Sequence, residues 1–190
     1  MRNIVCAAII LFTSAVLNAD TKSLAFTVSA EVEKSSVVDL PRDFVRTYIN
    51  NLDIYPRFFP DMVSVKKLNV KESEWHYNVE APLSPTISLT FLLESKQSTP
   101  SLMVLESVNP EPDYLYCKAV FDSLNASSTK VTLLFKIRMT REHASDIHFL
   151  AGILGEDFIS ARMKDKLDGD MDTFIEKATE DMYSKFNSTH

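Results

Sequence analysis

Glycine is nearly absent from this chain: three occur in 190 residues, at positions 152, 155 and 169. No glycine-rich phosphate loop can be assembled from those positions, so the P-loop and dinucleotide-binding fingerprints are excluded. Cysteine is scarcer still, with only Cys6 and Cys117. Basic residues are outnumbered, 20 Lys and Arg against 26 Asp and Glu, for a net charge of −6. Without a basic run the chain is poorly suited to grip phosphate backbones, and nucleic acid is not an expected partner. Nor is there a polybasic patch to hold it on an anionic membrane surface. The four histidines (His76, His143, His148, His190) are scattered. His143 and His148 are five apart, outside the i, i+4 spacing of a helical zinc pair, and each histidine reads as a surface residue. There is no Gly-x-Ser-x-Gly elbow and no Ser/His/Asp set that spacing supports. Asp168, Asp170 and Asp172 resemble the start of a calcium loop, but Gly169 is not at the sixth position and no Glu follows in register. A solvated helix face is the expectation there. The sequence therefore assigns no catalytic residue, no metal ligand and no cofactor; a buried acid–base pair stays open, because carboxylates are abundant.

What is present begins at the N-terminus. Met1-Arg2-Asn3 is followed by Ile4 to Leu17, apolar but for Thr13 and Ser14, and then by Asn18-Ala19-Asp20. One early positive charge, a short apolar stretch and a small residue before a polar one are the parts of a secretory signal. The run is shorter than the ~20 residues that cross a bilayer, so no stable membrane anchor is expected after cleavage. The expected division is a signal peptide over 1–19 and a single domain over 20–190, exported to a periplasm or an extracellular space. Removal of residues 1–19 leaves 171 residues and takes the net charge from −6 to −7, because Arg2 leaves with no acid. Cys6 also leaves, so Cys117 stays without an internal partner and the domain must be held by its core. Cys117 alternates with Leu115, Ala119 and Phe121, which reads as a buried structural thiol. Asn125-Ala126-Ser127 and Asn187-Ser188-Thr189 are glycosylation acceptor triplets, of consequence only in a eukaryotic secretory pathway.

Period-two alternation fills the middle of the chain. A first strand is expected over Ser23–Ser35, with Phe26, Val28 and Ala30 on one face. Pro41 opens a helix to Asn51, with Asp39 as its cap, and a second short helix or turn follows in Asp53–Pro60. Strands are then expected over Val63–Val70, Glu74–Ala81, Thr86–Ser95, Ser101–Val108, Asp113–Leu124 and Val131–Thr140. A helical stripe closes the chain from about Ile147 to Phe186, continuous from Glu156, with a kink expected at Asp168-Gly169-Asp170. Strands joined by short turns make an antiparallel meander, and the last helix has the length to cover one face of it.

The stretch Val37-Val38-Asp39-Leu40-Pro41-Arg42-Asp43-Phe44-Val45-Arg46-Thr47-Tyr48-Ile49, then Tyr55-Pro56-Arg57-Phe58-Phe59-Pro60-Asp61-Met62 and Val63-Ser64-Val65-Lys66-Lys67-Leu68, resembles the START, Bet v 1 and polyketide cyclase (SRPBCC) superfamily. It is similar to that family's first helix, its second helix and its return strand, and the likeness extends over roughly residues 24–186. The resemblance implies an α+β helix-grip fold. A curved antiparallel sheet of about seven strands would wrap a long C-terminal helix, with two short helices between the first and second strands. It also implies an apolar cavity between sheet and helix. The family's members commonly work inside cells, so an export signal is a departure.

If the strand parities hold, Trp75, Tyr77, Phe91, Leu93, Met103 and Leu105 face that interior. So do Leu115, Phe121, Phe135 and Ile137, with Phe158 and Met163 from the helix. Tyr55, Phe58 and Phe59 either form the cavity mouth or anchor a short helix. The same side chains would serve equally well as plain core. One functional reading is a carrier that holds a lipid or other hydrophobic small molecule. Another is a cyclase-like or hydrolytic enzyme on an apolar substrate, which requires a buried acid or base in the cavity. The third is a protein-interaction domain with a packed interior. Oligomeric state is not legible. For the exported form, mass spectrometry of the mature protein should find its N-terminus at Asp20, within a few residues; a retained Met1 overturns the signal.

Overall fold

The computed structural model describes residues 25–79 and 86–189. The signal assignment, Cys6, His190, the Pro82–Pro85 break and the two ends of expected strands at 23–24 and 80–81 lie outside the described residues. Seven strands run in chain order: β1 Phe26–Val38, β2 Met62–Lys67, β3 Glu72–Val79, β4 Ile87–Thr99, β5 Leu102–Ser107, β6 Asp113–Asn125 and β7 Ser128–Arg141. Helix α1 (Arg42–Ile49) and the single turn α2 (Tyr55–Phe58) stand between β1 and β2. A short α3 (Ala151–Leu154) precedes the 34-residue α4 (Glu156–Thr189).

The strands form one antiparallel sheet in the order β1-β7-β6-β5-β4-β3-β2. Consecutive strands from β2 to β7 are hairpin neighbours, and β1 closes on β7 while α1 and α2 carry the chain to the far edge. Register irregularities between Ser95 and Gln97 and between Ser123 and Asn125 add local twist, which curves the sheet around the helix. This is the helix-grip α+β architecture.

Alternation decides which side chains face α4. Val28, Ala30 and Val32 of β1 are buried, as are Trp75 and Tyr77 of β3, Leu89, Phe91 and Leu93 of β4, and Leu115, Cys117, Ala119 and Phe121 of β6. Burial pushes the Cys117 thiol well above its ordinary pKa, so it stays protonated inside the core. Helix α4 answers with Met171, Phe174, Ala178 and Met182, all buried. Phe174 stacks on Tyr55 at 5.0 Å and lies 5.9 Å from Phe59, whose ring stacks on Phe135 at 5.3 Å. Tyr55 also meets Trp75 at 5.0 Å. These contacts clamp the C-terminal half of α4 between α2 and the sheet.

Polar ties fix the helix at both ends. The hydroxyl of Tyr48 on α1 donates to Asp181 at 2.6 Å, and Lys185 lies 2.9 Å from the same carboxylate. At the other end α4 runs beside β1, a sheet edge. The backbone N–H groups of Thr27 and Ser29 donate to the side chains of Glu156 and Ser160, and Lys34 reaches Asp168 at 2.8 Å and Asp172 at 2.9 Å. The helix thus satisfies edge groups that the sheet leaves unpaired.

Several expectations are corrected. Asp39 does not cap α1: Pro41 occupies that position without a side-chain cap, and the Asp39 carboxylate accepts from Ser128 instead. The closing helix is continuous from Glu156, as expected, and the helical stripe before it is interrupted by Gly155, at φ +81°, which ends α3. Helix α4 passes unbroken through Gly169, where the sequence suggests a kink. Val70, expected in a strand, is fully exposed beyond the end of β2.

Truncating Phe174 to Ala should cost about 3–5 kcal/mol in urea unfolding, the range for a buried aromatic. Phe158→Ala, two-fifths exposed on the same helix, should cost under about 1 kcal/mol.

Candidate functional site

The two halves of α4 face different surroundings. From Met171 on, Met171, Phe174, Ala178 and Met182 are buried, whereas before it Ile159, Met163 and Leu167 are only partly buried and Phe158 is exposed. On the sheet, Phe135 is buried and Ile137, two residues on along the same face, is half-buried, while Met139 beyond it is buried again. Between these less buried stretches lies a cavity of about 410 Å³ that opens to solvent. Val79, Ile87, Ile137 and Met139 line it from the sheet, and Ile147 and Leu154 from the segment before α4. Helix α4 contributes Phe158, Ile159, Met163 and Leu167. The volume is in the range of small-molecule sites, and the lining is predominantly apolar, as such sites are.

Among the residues expected to bind ligand, Phe59, Tyr77, Ile137, Phe158 and Met163 stand on the cavity wall. Tyr55, Trp75, Phe91, Phe121 and Phe135 do not; they fill the packed core around Phe174. Leu105 is also buried off this cavity and borders, with Met103, a separate cleft beside Asn50 and Lys71. Phe58 lies partly buried, the Arg57 guanidinium 4.7 Å over its ring, and does not reach the cavity. Of the three aromatics considered for a mouth, only Phe59 touches it; Tyr55 anchors α2.

The polar lining was not legible beforehand. Asp61, His148, Arg162, Lys166 and Asp170 all border the cavity. His148, expected on the surface, is half-buried; its Nδ1 accepts from the Leu150 N–H at 3.1 Å and its ring stacks on Phe149. Asp170, expected on a solvated face, keeps only 17% of its side chain in solvent, whereas the side chains of Asp168 and Asp172 keep 50% and 63% and serve Lys34. Lys166 bridges two carboxylates, Asp61 Oδ2 at 2.6 Å and Asp170 Oδ2 at 3.0 Å. Asp61 holds a left-handed backbone, φ 61°, which aspartate tolerates better than most residues, and its carbonyl accepts the Asn78 N–H at 2.9 Å. That turn delivers its carboxylate from the α2–β2 junction to a lysine on α4.

Desolvation raises the Asp170 carboxyl above its ordinary value, opposed by the ammonium of Lys166. Tyr77 carries a second displaced group. Burial holds its phenol well above the usual value, and its hydroxyl has no hydrogen-bond partner among the described residues. Among the described residues no three His, Cys, Asp or Glu are grouped to hold a metal ion, and no helix is long and apolar enough to cross a membrane.

No protein-family model matches the chain, and no curated protein matches it. Solved structures do. The Zhui aromatase/cyclase from Streptomyces sp. R1128 superposes with a TM-score of 0.62 at 15% identity, over 83% of this chain and 96% of that one. A START superfamily protein from Mycobacterium smegmatis gives 0.56 at 11% identity, over 82% and 98%. A protein from Thermus thermophilus gives 0.58 at 13%, over 82% and 98%. The chain therefore has the START/polyketide cyclase-like fold. At these identities the likeness is one of fold, and function must come from the site.

Lys166 keeps two acids apart, which gives a test. In Lys166→Met, desolvation of Asp170 goes unopposed, so its folded pKa should rise further. A carboxyl with a raised folded pKa contributes full stability only below its ordinary value, about 3.9, and loses it as pH rises through the folded value. The Tm deficit of Lys166→Met against the parent should therefore be largest at pH 7 and shrink as pH falls toward 4. A deficit independent of pH would show that Asp61 and Asp170 do not depend on this lysine.

Proposed function

We propose that this is an exported binding or carrier protein that holds a lipid or other hydrophobic small molecule between its sheet and C-terminal helix. The observation that carries the reading is the cavity of about 410 Å³, apolar over most of its wall and open to solvent. Filling such a space with hydrocarbon removes apolar surface from water on both partners, at roughly 25 cal/mol per Å². The START-like structural neighbours support a hydrophobic ligand as well. Export rests on residues 2–19 of the sequence.

An enzymatic reading, cyclase-like or hydrolytic, has one specific observation in its favour. Asp170 borders the cavity with a raised pKa, the kind of acid that such chemistry needs. The carrier reading is preferred because Asp61 and Asp170 both engage Lys166, and a carboxylate held by an ammonium is a weaker base.

Displacement of an environment-sensitive apolar dye tests the carrier reading. The parent protein should bind the dye and release it to long-chain apolar competitors. Met163→Trp, which fills the cavity from α4, should weaken dye binding at least tenfold while far-UV circular dichroism and Tm stay near parental values. Dye binding unaffected by Met163→Trp would place the dye elsewhere and sink the proposal.

A further inference from the structure

Tyr77 is anchored on β3 by two edge-to-face contacts, Phe59 at 6.2 Å and Phe91 at 5.8 Å. Its ring borders the cavity, yet the residue is only 6% exposed and its hydroxyl is fully enclosed. A buried hydroxyl without a partner works against folding, and a phenylalanine in the same place would avoid that cost. The phenol remains protonated at any physiological pH, so what it offers is a hydrogen-bond donor.

The charges nearby select against an anion. Lys166 is already shared between Asp61 and Asp170, so that cluster carries a net negative charge. Arg162 faces Asp165 at 3.8 Å near the surface, with its guanidinium 5.3 Å over the Phe158 ring. A carboxylate brought to Tyr77 would lose its hydration and find no spare cation beside the phenol among the described residues.

Resting on the binding reading of this same cavity, we infer that Tyr77 is its specificity-determining donor, reserved for an uncharged oxygen. The ligand class is an otherwise hydrocarbon molecule that carries a ketone, ester or ether oxygen. Because the hydroxyl is enclosed, engagement requires a small shift of neighbouring wall side chains when the ligand seats.

The test uses methyl nonyl ketone, undecane and undecanoate as competitors for the bound dye, with the mature parent protein and Tyr77→Phe. Transfer from water penalises a carbonyl on its own, so the readout is the change on substitution. Tyr77→Phe should weaken the ketone about tenfold and leave undecane unchanged, the effect of one neutral hydrogen bond. Undecanoate should bind more weakly than the ketone to the parent. The empty variant should be at least as stable as the parent. A measurement on the parent alone adds to this: the carbonyl stretch of bound ketone should fall to lower frequency than in hexane. An unshifted stretch, equal loss for ketone and undecane, or undecanoate as the tightest competitor overturns the inference. So does a less stable empty Tyr77→Phe, which would mean that the hydroxyl already has a protein partner. If neither ketone nor undecane displaces the dye, the carrier reading itself fails; if both do so without regard to Tyr77, only the donor role falls.

Discussion

Phe174 is the residue on which the geometry of this molecule turns. Its stack on Tyr55 and its contact with Phe59 lock the C-terminal half of α4 against α2, and through Phe135 against the sheet. Because that half is filled with aromatic rings, the helix is held at a fixed height over the sheet. The N-terminal half inherits that height with smaller and less buried side chains beneath it, Ile159, Met163 and Leu167. The cavity is the space left over. Packing at one end thus creates emptiness at the other, and neither could be altered alone.

The fold was legible because its signals are local. Alternation in β3, β4, β6 and β7 predicts inward faces that the structure confirms as buried, and Pro41 marks the start of α1 within one residue. The position of the cavity was not legible, for a physical reason. Phe135 and Ile137 share parity, face and hydrophobicity, yet only Ile137 lines the cavity. Which of them does so depends on packing by residues far along the chain, so Trp75, Phe91 and Phe121 look no less like pocket residues than Tyr77 does. Asp170 reads as part of a solvated helix face, since nothing local shows that Lys166 ties it to Asp61, over a hundred residues earlier.

Charge in this site is arranged to be spent internally. Two acids and a lysine meet at the cavity wall, His148 and Arg162 also border it, and the rest of the wall is apolar apart from the Tyr77 phenol. That distribution fits the hydrophobic ligand proposed for it.

The run of α4 along β1 has a consequence for how the cavity can exchange its contents. Glu156 and Ser160 occupy the backbone donors of Thr27 and Ser29, so lifting the first turns of the helix would bare a strand edge able to recruit a strand from another molecule. Solubility and access are therefore in competition at that end of the helix. The short segment from Ala144 to Leu154 lines the cavity through Ile147 and Leu154 and ends at Gly155, ahead of the turns of α4 that cover this edge. On the proposed carrier reading, a ligand entering beside Ile147 and Leu154 would leave that strand edge covered.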